Sequence, residues 1–394
     1  MLPLAAAWAQ QLGEGAADIT NHWGVAETVR ISTEEVVVQH AVEGRSYHHH
    51  CQMAAQPPYF FLAFSSGAKN EDDVGQEVFF TRSRDGGVTW DTPRGIVKPP
   101  MGEHAPFVAT ATGLRAFYDP ESGGRLLAAY YGLYEYQAGG LADGARRPGD
   151  ANHQNTRCMV ILSEDDGVTW SAPRLVAENV VCNLGPQLTA SGRLIMPANV
   201  VFLHTDDPSG LSGWVRAALP GIPPEHPDDS AGFARLFAED PDRFGFCEGS
   251  MFQTDNGVLR MMLRTNRPQL AVTESADNGM TWSPARMTRF SDNGSRHQFG
   301  RLPDGRYFAL STPDPENRGA RTPLVLALSR DGVSFDRHFV VGDAPAHPPK
   351  FSGHAKGGRF GYPHLAVMDG VVVAAYSVAK EDVAVCRFPL SRLD

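Results

Sequence analysis

Short apolar runs separated by turn-forming residues recur along the whole chain. Glu77-Val-Phe-Phe-Thr-Arg82, Thr156-Arg-Cys-Met-Val-Ile-Leu162 and Pro323-Leu-Val-Leu-Ala-Leu328 are short and rich in β-branched and bulky apolar residues, and they predict strands. Ala190-Ser-Gly-Arg-Leu-Ile-Met196, Thr254-Asp-Asn-Gly-Val-Leu-Arg260, Leu302-Pro-Asp-Gly-Arg-Tyr307 and Met368-Asp-Gly-Val-Val372 each set a turn dipeptide between two such runs, the pattern of a tight hairpin. One stretch breaks the rhythm. Pro220 to Asp242 is rich in Pro, Asp and Glu, with room for a short helix around Ser230–Glu239. It predicts an insertion loop at about 219–243, because strand signals resume on both sides.

A longer repeat overlies these runs. Ser83-Arg-Asp-Gly-Gly-Val-Thr-Trp90 recurs as Ser163-Glu-Asp-Asp-Gly-Val-Thr-Trp170 and as Ser275-Ala-Asp-Asn-Gly-Met-Thr-Trp282. Ser329-Arg-Asp-Gly-Val-Ser-Phe335 is a copy one residue shorter. Ser and Asp side chains hydrogen-bond inside such a loop. Glycine takes the φ > 0 position, and Trp or Phe folds back as an apolar plug. The boxes therefore read as turn staples rather than ligand sites. At about 50 residues per four-stranded unit, the spacing leaves some units without a box. The predicted fold is all-β, a single β-propeller of six or seven four-stranded blades over residues 21–394, with residues 1–20 as a leader or extension.

Composition narrows the function. The 394 residues are 42% hydrophobic and 20% charged, which excludes disordered, collagen-like and coiled-coil classes. A net charge of −10 argues against a nucleic-acid partner. No apolar run approaches the roughly 18 residues of a membrane span, so no membrane partner is expected. The five cysteines are scattered, with neither zinc spacing nor a disulfide framework, and the opening MLPLAAAWAQ lacks the basic lead of a signal peptide. The cysteine pattern favours the cytoplasm over a secreted or periplasmic location, and the opening reads as an ambiguous or trimmed leader.

The four boxes resemble those of the sialidase-like Asp-box propeller superfamily, also known as BNR repeat proteins. The resemblance implies a site where strands converge on the central axis, built from distant positions, and an acidic oligosaccharide or polysaccharide as partner. It implies that Glu248, in Cys247-Glu-Gly-Ser-Met-Phe252, is the carboxylate beside a nucleophilic tyrosine. Arg264, in Met261-Met-Leu-Arg-Thr265, follows across the Asp255-Asn-Gly257 turn, so one hairpin brings both to the same end of a blade. Arg321 resembles a further carboxylate-binding arginine. Tyr362, in Gly361-Tyr-Pro-His364, resembles the nucleophile, and Asp72, in Asn70-Glu-Asp-Asp-Val-Gly75, the acid/base.

The first strand departs from that family. Where it carries an arginine, this chain reads Tyr47-His-His-His-Cys51, and the nearest arginine is Arg45. Loss of a charge-assisted contact, worth about 1.5–3 kcal/mol, points to different chemistry. The run from His48 through Asn70-Glu-Asp-Asp-Val-Gly-Gln76 resembles the branch that cleaves rhamnose–glucuronate linkages by β-elimination or hydrolysis. Histidine titrates near neutral pH and suits the base for a uronate C5 proton. Strand alternation puts His48 and His50 on one face and His49 on the other; His49 is the expected base, with His48 as the lesser candidate. The run also reads as a packed strand of hydrogen-bonded imidazoles. Histidines two apart can share a metal ion, but no carboxylate at a matching spacing supports one, so neither metal nor cofactor is expected.

Asn152-His-Gln-Asn-Thr-Arg157 adds His153 and Arg157 as substrate contacts, and His354-Ala-Lys356 adds Lys356. Tyr130, Tyr131, Tyr134 and Tyr136, with Trp214, are strand core or sugar platforms. His297 and His338 are expected at the surface or in turns. Three functions fit: a lyase or glycosidase at a rhamnose–glucuronate type linkage, an exo-α-sialidase with an altered arginine set, and a non-catalytic glycan-binding propeller.

Overall fold

The structure, a computed structural model, describes residues 18–102, 106–135, 154–222 and 246–394. Two short strands come first, β1 (Thr28–Arg30) and β2 (Glu34–Gln39). Six antiparallel sheets follow. The first holds β3 (Tyr47–Gln56), β4 (Tyr59–Gly67), β5 (Glu77–Ser83) and β6 (Arg94–Val97). The second holds β7 (Val108–Tyr118), β8 (Arg125–Glu135), β9 (Gln154–Ser163) and β10 (Arg174–Glu178). The third holds β11 (Gln187–Leu188), β12 (Leu194–Pro197), β13 (Val201–Thr205) and β14 (Val215–Ala218). The fourth holds β15 (Phe246–Gln253), β16 (Leu259–Thr265), β17 (Gln269–Ser275) and β18 (Arg286–Ser291). The fifth holds β19 (Gln298–Arg301), β20 (Tyr307–Ser311), β21 (Leu324–Ser329) and β22 (Phe335–Gly342), with β1 added in parallel on β22. The sixth holds β23 (Gly361–Met368), β24 (Val371–Val378) and β25 (Asp382–Pro389), and β2 completes it. Among the described residues this is a six-bladed propeller with almost no helix, and no helix is long and apolar enough to cross a membrane.

Middle strands lie between neighbouring sheets and are apolar on both faces. Every residue of β21 is buried, as is all of β4 after Tyr59. The core is accordingly a ring of clusters between sheets. Phe61, Phe80, Leu127 and Tyr131 join the first sheet to the second, and Phe60, Leu62, Val373 and Val383 join it to the sixth. Pairing of Glu34 with Arg387 and Val36 with Val385 closes the ring, with an early strand completing the last sheet.

The repeated turns join the third and fourth strands of four sheets. In the second copy, Ser163 Oγ donates to Asp165 Oδ1 at 2.8 Å, Gly167 N donates to Ser163 Oγ at 2.7 Å and Thr169 N donates to Asp165 Oδ1 at 2.8 Å. The aromatic residue plugs a gap between sheets rather than between strands. Trp170 packs edge-on against Phe80 of the preceding sheet, and Trp282 against Phe202. Gly167, at φ 86°, lies under Phe80, where a Cβ would sit 2.3 Å from the ring.

Candidate active site

The innermost strands are β3, β7, β11, β15, β19 and β23. Four of them carry a register shift near their start, a lone extra Thr112 in β7 and a two-for-one β-bulge in the other three. In β3, His50 and Cys51 stand opposite one residue of β4, between the pairs His49–Ser65 and Gln52–Ala63. In β15, Glu248 and Gly249 do the same, and in β23, Tyr362 and Pro363. The first bulged residue is left-handed each time, with φ of 57° at His50, 50° at Glu248 and 50° at Tyr362. None is glycine, so each position costs about 1–2 kcal/mol of backbone strain. Bulges of this kind re-aim a side chain, and strain concentrates at functional sites. Here they turn three side chains into one cavity.

That cavity, of about 380 Å³, opens at the axis and is lined by His50, Glu71, Asp72, Tyr134, Glu248, Arg264, Arg321, Tyr362 and Lys380, among others. Its centre is a hydrogen-bonded trio. Arg264 Nη1 donates to Glu248 Oε2 at 2.7 Å and to Tyr362 Oη at 3.2 Å, and the Tyr362 hydroxyl donates to Glu248 Oε1. The β15–β16 register sets Cys247 opposite Arg264, as the hairpin reading anticipates. Burial alone would raise the Glu248 carboxyl, but the Arg264 charge and the bonds from Arg264 and Tyr362 outweigh it and hold it down at about 2. Burial, reinforced by the Glu248 charge, pushes the Tyr362 phenol well above its ordinary range.

Two guanidinium groups flank the Tyr362 ring. Arg321 lies 5.2 Å from its centroid and Arg296 4.9 Å. Arg321 also has a left-handed backbone, φ 52°, and its buried Nη1 makes no hydrogen bond among the described residues. Arg296, fully buried, is the third arginine near the centre, but it does not line the cavity. It donates to the carbonyls of Asn183 at 2.6 Å, Cys51 at 2.7 Å and Tyr362 at 3.2 Å, tying three segments together beneath the tyrosine. Asp72 borders the opposite side, where the Tyr134 hydroxyl donates to its Oδ1 at 2.6 Å. Lys380 Nζ donates to both Glu71 oxygens at 2.6 Å.

The cavity thus gathers Asp72, Glu248, Arg264, Arg321 and Tyr362 from four different sheets and their connections. The histidines need a correction. The bulge breaks strand alternation, so His50 lines the cavity and His49 does not. His49 lies behind it, 4.1 Å from the Tyr362 ring centroid, with Nδ1 2.6 Å from Ser377 Oγ. His48 turns away and packs on Phe64. Burial holds His50 down at about 4, so it is neutral at neutral pH.

Two expected substrate contacts are elsewhere. Lys356 is buried in a structural network, donating to Ser46 O at 2.8 Å and Glu381 Oε1 at 3.1 Å. Arg157 faces Glu178 at 3.9 Å on an outer pair of strands. His153 and Tyr136 lie outside the described residues. Tyr130 and Tyr131 are core, and Trp214 packs on Tyr130; of these aromatics only Tyr134 reaches the cavity. His297 and His338 are buried, against expectation. Glu71, Lys380 and Arg296 had no signal beyond their charge, because residues in a turn or loop ordinarily face solvent.

No curated protein sequence matches the chain. Among solved structures, the Hadza microbial sialidase Hz136 superposes with a TM-score of 0.66 at 16% identity, over 94% of this chain and 71% of that one. The leech intramolecular trans-sialidase complexed with 2,7-anhydro-Neu5Ac gives 0.61 at 15% identity, over 92% and 71%. A protein of unknown function from Dyadobacter fermentans gives 0.59 at 16% identity, over 90% and 98%. At these identities the likeness is one of fold. The model of the BNR repeat-like domain matches residues 60–373, and the chain belongs to that family.

Proposed function

We propose that the protein is a glycosidase acting on an acidic glycan, with Tyr362 as nucleophile. The observation that carries this reading is the Tyr362–Glu248–Arg264 trio at the base of an axial cavity that also holds Arg321 and Lys380. A sugar whose carboxylate adjoins its reacting carbon repels a charged nucleophile. A neutral phenol that passes its proton to a neighbouring carboxylate avoids that repulsion. Tyr362 Oη bonds to the anomeric carbon as its proton moves to Glu248 Oε1, and Asp72 protonates the departing oxygen. Water then attacks the same carbon, giving up its proton to Asp72, and the phenol recovers its own from Glu248. Arg264 and Arg321 hold the substrate carboxylate. When that carboxylate engages Arg264, Glu248 shares its strongest stabiliser and becomes a better base once substrate is bound. The sialidase and trans-sialidase neighbours support this reading.

A second reading, β-elimination at a rhamnose–glucuronate type linkage, is favoured by His50. Its ring lies 5.3 Å from that of Tyr362 and is neutral at working pH, as a base must be. A fluorogenic α-sialoside and a rhamnose-capped glucuronate glycan, each given to the wild type and to Tyr362→Phe, separate the readings. Fluorophore release that Tyr362→Phe lowers by at least about 100-fold supports hydrolysis. Ultraviolet absorbance of an unsaturated uronate instead supports elimination. Binding of both glycans with turnover of neither defeats both readings and leaves a glycan-binding propeller.

A further inference from the structure

Lys380 stands at the tip of the β24–β25 hairpin, in a turn where charged residues ordinarily point to water. Ala379 and Lys380 both have φ of 55°, the left-handed region where such turns usually carry Asn or Gly and where any residue with a Cβ is strained. The tip is tied down on several sides. His48 N donates to the Lys380 carbonyl at 3.0 Å, and Ala379 N donates to the Gly358 carbonyl at 2.7 Å. The next side chain, Glu381, accepts from Lys350 N at 2.7 Å, Phe351 N at 2.8 Å and Lys356 Nζ at 3.1 Å. A solvated lysine needs no such anchorage. This one is 7% exposed in its side chain and lines the axial cavity.

Its ammonium has three N–H groups. Among the described residues its hydrogen bonds all go to the two Glu71 oxygens, so one N–H remains for the cavity. A cluster of possible metal ligands lies beside it. Ligand atoms of His49, His50 and Glu71 lie within 4.8 Å of one another, a spacing that could hold a metal. Glu71 already carries the ammonium, and Arg296 and Arg321 add positive charge around His49.

We propose that Lys380 is a specificity-determining residue, a third anchor for the substrate carboxylate beside Arg264 and Arg321. Its own backbone is bonded to the start of β3, the strand that carries histidines and no arginine. The proposal rests on the acidic-glycan reading and adds to it the group that separates an acid from its neutral ester. Glu71 is a positioning residue in this scheme, holding the ammonium without touching substrate.

The test is calorimetric binding of N-acetylneuraminic acid, D-glucuronic acid and the methyl ester of each to wild type, Lys380→Met, Lys380→Arg and the double variant Lys380→Met/Glu71→Gln. The double variant leaves no unpaired buried carboxylate, and thermal melts report folding. Wild type is expected to prefer at least one acid over its ester. Lys380→Met and the double variant should lose about 10- to 100-fold in affinity for that acid, with the ester little changed, and Lys380→Arg should keep most of it. Equal affinity of wild type and the double variant for the acid, or equal losses for acid and ester, overturns the role of Lys380. A wild type that binds neither acid overturns the acidic-glycan reading itself.

Discussion

Replacing Glu248 by glutamine keeps the shape of the central trio and removes its negative charge. Its consequence can be worked from the position of the carboxyl. An ordinary glutamate titrates near 4.5, and Glu248 is held at about 2. At 1.36 kcal/mol per pH unit, ionised Glu248 contributes about 3 kcal/mol to folding. The folded value is depressed, so this stability is fully present above pH 4.5 and is lost as pH falls through about 2. Glutamine mimics the protonated acid and lacks the contribution at every pH. Glu248→Gln should therefore melt on the order of 5 °C below wild type at neutral pH, and the gap should close as pH approaches 2. Turnover should fall by about 10²- to 10⁴-fold at neutral pH, because the amide cannot accept the Tyr362 proton. Paired thermal melts from about pH 2.5 to about pH 8 measure the first effect. A gap of constant size across that range, or none at neutral pH, would refute the claim that Arg264 and Tyr362 stabilise a buried anion here.

Asp292 is fully buried, its Oδ1 makes no hydrogen bond among the described residues, and burial pushes it up to about 6. A raised folded value means that stability is full below 3.8 and is lost as pH rises through about 6. Asp292→Asn should accordingly match wild type near pH 3.5 and exceed it by up to about 3 kcal/mol near pH 8 in denaturant unfolding; parity near pH 8 would count against this. At the far end of the blades, Asp165 accepts from Ser163 Oγ, Thr169 N and Thr169 Oγ1. Asp165→Ala should cost about 1–2 kcal/mol of stability and leave kcat and KM unchanged, and a kinetic effect would show that the turn reaches the site.

The scaffold was legible because its turns repeat. The S-x-D-x-G-x-x-W boxes mark third-to-fourth strand connections, and their local hydrogen bonds make them recognisable without context. The Glu248–Arg264 pairing was legible for a similar reason, since one hairpin joins them. Alternation does not predict which histidine faces the cavity, because it holds only while the ladder is regular, and a bulge has no fixed residue signature when its left-handed position is His, Glu or Tyr. Lys356 and Arg157 lie near site motifs in the sequence, where a polar residue is expected to face the site. Lys356 is instead buried against Glu381, and Arg157 sits on an outer strand. Lys380 and Arg296 were invisible for the converse reason. Six strands converging on an axis bury charged side chains that composition assigns to solvent.

The pairing of β2 with β25 has a bearing on how the molecule matures. Glu34 finds Arg387 only after more than three hundred intervening residues have been made. Until then the sixth wedge lacks its rim. Tyr362 and Lys380 both belong to that late wedge, whereas His50 belongs to the first. The cavity therefore draws Tyr362 and Lys380 from the same late wedge whose pairing with β2 shuts the circle.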